Sequence, residues 1–171
     1  MGKTTLCYDL ASALKKRGFA VDMVKEVARL SPLPINRKTS KDAQTWILMT
    51  QIAEEIRSTV HNQVVVCDRS VLDNYAYMML ACGRQRAFER LVAHWIKSYA
   101  LLFKVPLSGR ASEDGVRDTD EFFMRNIDQL VDRLLDEMKV PHERLPPGAQ
   151  STWIEQVRDT VVARPELQKL F

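Results

Sequence analysis

Val64-Val65-Val66-Cys67 is an unbroken apolar run rich in β-branched residues. A strand with one wet face alternates polar and apolar positions. A strand apolar at every position is expected to be buried on both faces, in a sheet covered by helices above and below. The rest of the chain fits that frame. Ala20 to Val24 and Leu101 to Val105 read as further strands, with a weak last one at His142 to Leu145. Between them lie segments of helical period. Strands alternating with helices predict a mostly parallel sheet in a three-layer α/β fold. At 171 residues the chain is long enough for one domain with a substantial core.

The helical segments carry their own start and stop signals. Thr4 to Lys16 places Leu6, Leu10 and Leu14 on one face and ends in Lys15-Lys16-Arg17-Gly18, basic residues and a glycine stop. Thr39-Ser40-Lys41-Asp42 resembles a capping box. The long helix it opens has Trp46, Met49, Ala53, Ile56 and Val60 on one face. Val71 to Ala81 ends at Gly83, and Gln85 to Tyr99 forms another stretch. Glu121 to about Met138 turns Phe123, Ile127, Leu130 and Leu134 to the core, and Thr152 to Ala163 follows the turn Pro146-Pro147-Gly148. Trp46, Trp95 and Trp153 read as core residues at helical spacing, and the three dispersed histidines as ordinary helix or surface residues.

A net charge of +3, with Lys and Arg spread evenly, lacks the dense basic stripe of a nucleic-acid binder. No apolar run reaches membrane-spanning length and no signal peptide is evident. Cys7, Cys67 and Cys82 match no metal-ligand spacing, which points to reduced thiols and a cytoplasmic setting.

In an open α/β sheet, ligands bind beyond the carboxyl ends of the strands. Glu26 follows the first strand, Asp68-Arg69-Ser70 the second, and a charged segment the third. Gly2-Lys3-Thr4-Thr5 opens the first helix, where free N–H groups and the positive dipole end favour an anion. Gly-Lys-Thr is the second half of G-x-x-x-x-G-K-[ST]. In that loop Lys3 reaches the β/γ-phosphates of ATP and the Thr4 hydroxyl ligates Mg²⁺. The triplet is common enough by chance that context decides. The context is a strand delivering Asp68 to the sheet edge, the Walker B form, able to hold Mg²⁺ or accept a substrate proton. Arg69 either binds a substrate anion or neutralises Asp68. Glu26 and Arg29 read as a solvated loop or as a general base and its neighbour. Asp73 and Tyr77 either face the site or cap and pack their helix. Residues 107–120 join strand to helix with two glycines and the arginines Arg110 and Arg117, a candidate phosphate-closing loop, with Arg125 two turns beyond.

The chain resembles the P-loop nucleoside and nucleotide kinases, and most closely the NadR-like AAA-type ATPase/kinase domains of bacteria and phages. The matching residues are Gly2-Lys3-Thr4-Thr5-Leu6, Glu26-Val27-Ala28-Arg29, Gln44-Thr45-Trp46-Ile47-Leu48, Asp68-Arg69-Ser70-Val71-Leu72-Asp73-Asn74-Tyr75-Ala76-Tyr77 and Asp114-Gly115-Val116-Arg117, in family order over nearly the whole chain. The resemblance implies a P-loop NTPase fold, ATP and Mg²⁺ as cofactors, and phosphoryl transfer to a nucleoside, ribosyl or nucleotide acceptor. By residue it implies phosphate contacts from Gly2, Lys3, Thr4 and Thr5, metal ligation by Thr4 and Asp68, and Asp68 or Glu26 as base. Glu26, Arg29, Arg69 and Asp73 would line the acceptor pocket, and Arg117 and Arg125 would contact the phosphates. A nucleotide-binding switch or scaffold without a small-molecule acceptor is the rival reading.

Family members carry a hydrophobic strand and Gly-x-x-x-x before the Gly-Lys-Thr. Here Met1 stands at the last x. The expectation is a misplaced start codon or a fragment lacking the first central strand, binding ATP weakly or not at all in this form. An inactive fragment is the third reading.

Overall fold

The computed structural model of the chain describes residues 2–35, 38–107 and 121–164. Helix α1 (Lys3–Lys16) begins at Gly2 and buries Leu6, Leu10 and Leu14. It closes where Arg17 and Gly18 donate to the Leu14 and Lys15 carbonyls, with Gly18 at φ +89°. That left-handed turn suits a residue without Cβ.

Strand β1 (Val21–Val24) pairs in parallel with β2 (Val64–Cys67), Val21 opposite Val64 and Val24 opposite Cys67. Helix α2 (Lys41–Thr59) makes the crossover. Strand β3 (Phe103–Lys104) pairs in parallel with β4 (Glu143–Arg144), joined through α5 (Glu121–Glu137). The described residues therefore form two two-stranded parallel sheets where a single sheet was expected. One apolar cluster spans both. Leu10, Leu14, Val66, Trp153 and Val157 form its buried part, with Val64 of β2 and Phe103 of β3 packed against it. The two strand pairs thus share a helical cover, from α1 and α6 (Trp153–Val162), without sharing a hydrogen-bond ladder.

This corrects the reading of the valine run. Only Val66 of β2 is buried, while Val64, Val65 and Cys67 are half-buried. The apolar pattern suits a central strand, but among the described residues β2 is laddered only to β1. The predicted strand from Leu101 to Val105 shrinks to two residues for a related reason. Among the described residues it is laddered only to β4, through Glu143 N to Leu102 O and Leu145 N to Lys104 O.

Helix α2 is also corrected. Ser40 caps it, its Oγ accepting from Ala43 N at 3.1 Å. With alanine at the third position, no side chain reaches back, so the cap is single and not a box. Its orientation departs further from the apolar pattern. The buried side carries Ile47 and Leu48 but also Gln44, Gln51, Glu55 and Ser58, whereas Met49, Ile56 and Val60 are exposed. Trp46 is half-buried beside Val24, Val27 and Ile47.

Hydrogen bonds account for much of this inversion. Glu55 accepts from Trp95 Nε1 at 2.6 Å, Tyr99 OH at 2.8 Å and Gln51 Nε2 at 2.8 Å. Ser58 Oγ donates to Asp22 Oδ2 at 2.8 Å. Buried polar groups with partners escape the desolvation cost that would otherwise turn this face to water. Gln44 Oε1 and Gln51 Oε1 remain without partners among the described residues.

Helix α3 (Val71–Cys82) packs Leu72, Tyr75 and Met78 against Leu134 and Leu135 of α5 in the second large cluster. The predicted helix from 85 to 99 divides into α4 (Arg86–Trp95) and a 3₁₀ turn, Ile96–Ser98. No described helix is long and apolar enough to cross a membrane.

Candidate functional site

The start of α1 and the end of β2 meet. Thr4 Oγ1 donates to Asp68 Oδ2 at 2.6 Å across 64 residues of sequence. Asp68 is held there because its N–H bonds Val24 O at 2.8 Å, extending the β1–β2 ladder past the strand end. Gly2 precedes α1 in extended backbone, and the first intrahelical bond recorded there is Leu6 N to Gly2 O. The amides of Lys3, Thr4 and Thr5 therefore lie in the first turn, where a helix has no carbonyl for them. No acidic residue occupies that turn. The combination is an anion-attracting helix end beside a hydroxyl–carboxylate pair.

Lys3 holds its proton less tightly than an ordinary lysine. Burial is the main cause, and the nearby Arg69 charge adds to it, against the pull of Asp73 and Asp128. A desolvated ammonium beside a guanidinium is poised to gain from an arriving anion.

Arg69 occupies the turn between β2 and α3 at φ +90°, a conformation L side chains rarely adopt. Such strain costs about 1–3 kcal/mol and persists where the surroundings impose it. Here Arg69 Nε meets Glu26 Oε1 at 2.7 Å, and its guanidinium lies 5.1 Å above the Tyr77 ring. Arg29 Nε meets the other oxygen, Glu26 Oε2, at 2.9 Å. The buried Glu26 carboxylate is thus clamped between two arginines. In this arrangement each of its oxygens meets a guanidinium. Tyr77 also contacts Phe123, centroids 6.1 Å apart, which links this corner to α5.

Asp73 sits at the third position of α3 and closes a capping box. Ser70 Oγ accepts from Asp73 N, and Asp73 Oδ2 accepts from Ser70 N at 2.9 Å and Ser70 Oγ at 2.6 Å. Arg125 is exposed and paired with Glu121 at 3.2 Å, one turn back on α5. Arg117 lies outside the described residues, as does all of the 107–120 segment except Leu107.

Two features near the site escaped the sequence reading. Lys104 of β3 is mostly buried between Asp128 Oδ1 at 2.5 Å and Asp132 Oδ1 at 3.2 Å, and Asp132 also holds Arg144 at 2.9 Å. Lys104 and Asp128 both act on the Lys3 charge. A lysine inside the apolar run Leu101 to Val105 was the available signal. The second is the Glu55 network. Tyr99 OH, which donates to Glu55, accepts from Val71 N at 3.1 Å, and Gln51 Nε2 reaches Arg69 O at 3.4 Å. Buried polar residues of α2 thereby fix the turn that carries Asp68 and Arg69. No local sequence pattern announces that.

Cys7 and Cys67 lie close, with Cys7 Sγ 3.8 Å from Cys67 O. Burial pushes the Cys7 thiol up to about 12 and raises Cys67 as well, so both stay neutral and unreactive at ordinary pH. The described residues contain no cluster of three or more His, Cys, Asp or Glu suited to a metal. Thr4 and Asp68 supply oxygen only. That donor set fits Mg²⁺, which keeps waters and binds through one or two protein oxygens plus substrate phosphates.

No curated protein matches the chain. A family model described as an AAA domain matches residues 1–152. Its span covers α1, both strand pairs and the whole Thr4–Asp68–Arg69 corner. With a helix-rich α/β fold and short parallel strands beneath that match, the chain belongs to the AAA domain family of P-loop NTPase-like proteins.

Proposed function

We propose that this domain binds ATP and transfers its γ-phosphoryl group to a small hydroxyl-bearing acceptor of nucleoside, ribosyl or nucleotide type. The observation that carries the reading is the 2.6 Å bond between Thr4 and Asp68, which joins the helix start to the strand end. Around it, Lys3 and the first-turn amides would bind phosphate oxygens, and Thr4 and Asp68 would hold Mg²⁺. The ion, when bound, would neutralise charge on the phosphates. Asp68 Oδ1 makes no hydrogen bond among the described residues and would accept the acceptor's proton as the new O–P bond forms and ADP leaves. Arg29 and Arg69, gathered on Glu26, would orient an anionic or polyhydroxyl acceptor.

The test is ADP release by the full chain across a panel of nucleosides and nucleotides. The kinase reading expects one acceptor class to stimulate turnover and to appear as its phosphate ester. Asp68→Asn should lower that turnover by about 10²-fold or more. Basal ATP hydrolysis that no acceptor changes would favour the nucleotide-switch reading instead.

A further inference from the structure

We propose that the outer face of α2 pairs antiparallel with the same face of a second copy of this chain. The exposed residues Met49, Ala53, Ile56 and Val60, with half-buried Trp46 at their head, step by 3, 4, 3 and 4 positions, the spacing of a helix–helix seam. At roughly 100° per residue this stripe is centred about 160° from the buried row Gln44, Leu48, Gln51, Glu55 and Ser58. The helix is thus seated in its own domain by one face and presents an apolar seam on the opposite one. Met49 is 42%, Ile56 51% and Val60 65% exposed.

The surface relief specifies the kind of occupant. A shallow groove of about 500 Å³ runs along α2, lined by Asp42, Thr45, Trp46, Met49, Thr50 and Ala53. Residues 42, 45, 46 and 49 stand at i, i+3, i+4 and i+7, and so do 46, 49, 50 and 53. Each set is a four-residue hole of the type that receives one side chain of a facing helix. Two such holes in succession fit a helix better than a strand or a small molecule.

The charges then select a second copy, and its direction. Asp42 is exposed at the start of α2, and Arg57, 63% exposed near its end, holds among the described residues only solvent-exposed intrachain partners, Glu54 at 2.8 Å and Asp22 at 3.9 Å, which a facing carboxylate can join. Antiparallel pairing places Arg57 of each copy near Asp42 of the other, twice. It also opposes the two helix dipoles. A parallel pair would stack like charges. Antiparallel register centred on Met49 and Ala53 sets the large residue against the small one at the crossing. It brings Ile56 of one copy to the first hole of the other. A helix of 19 residues laid on its copy in this way buries about 1,000 Å² in total, the low end for specific interfaces. The dimer should therefore be reversible, with a dissociation constant in the micromolar range.

Sedimentation velocity of the full chain over micromolar concentrations tests this independently of nucleotide chemistry. The expected result is a concentration-dependent dimer that Ile56→Glu weakens at least about tenfold without lowering the melting temperature. Orientation is read by oxidising a mixture of Met49→Cys and Ala53→Cys chains. The mixed disulfide should form faster than either like-with-like product. A chain monomeric throughout, or like-with-like crosslinks in excess, would overturn the proposal. So would a drop in monomer melting temperature on Ile56→Glu, which would mean that another segment of this chain covers the stripe.

Discussion

Lys3 shows how one residue can report on the whole site. Its proton is held loosely because burial strips water from the ammonium, with Arg69 repelling it as well. The unfolded chain keeps that proton to higher pH. From this residue alone, folding stability therefore rises with pH through the window between the depressed value and the usual lysine range. Binding a phosphate anion reverses the bias and restores the proton. Titration calorimetry of ATP in alkaline buffers of different ionisation enthalpy should show proton uptake within that window, abolished in Lys3→Met. Absence of uptake would remove Lys3 from the phosphates. Glu55 offers a separate test at the same level of detail. Its carboxylate receives three neutral donors in a buried setting, and Glu55→Gln would turn an NH₂ group toward Trp95 Nε1 or Tyr99 OH. Leaving a buried donor unsatisfied costs about 1–3 kcal/mol, to be read by urea denaturation.

The helices divide into those whose pattern decides their orientation and one whose pattern does not. In α1 the apolar residues Leu6, Leu10 and Leu14 are the buried ones, and in α5 Ile127 and Leu134 are. Period alone sufficed there. In α2 the buried face is set by long-range hydrogen bonds, from Glu55 to Trp95 and Tyr99 and from Ser58 to Asp22. Such pairings between distant residues leave no local periodicity, so the sequence placed Met49 to Val60 together without revealing that they face outward. Asp73 was open between lining the site and capping, and the bonds to Ser70 show it capping α3. Ser70→Ala removes one half of that box and should cost about 1 kcal/mol, or roughly 2–4 °C in melting temperature for a chain of this size. A loss within error would mean that Val71 N, held by Tyr99 OH, already secures the helix start.

For the molecule as a whole, the alternation of strands and helices was readable because each element is short and carries its own boundary signals. The division into two strand pairs was not readable from any single segment. It arises from which strands ladder to which, a property of the sheet and not of a local run. The half-buried valines of β2 and the two-residue β3 are its visible consequences. The central claim is that the start of α1 and the end of β2 form a metal-dependent nucleotide site. The most direct test is ATP binding with and without Mg²⁺, by calorimetry, on the full chain and its Asp68→Asn and Thr4→Val variants. The account predicts binding that depends on Mg²⁺, and loss of that dependence in both variants. Unchanged Mg²⁺-dependent affinity in Asp68→Asn and Thr4→Val would contradict it.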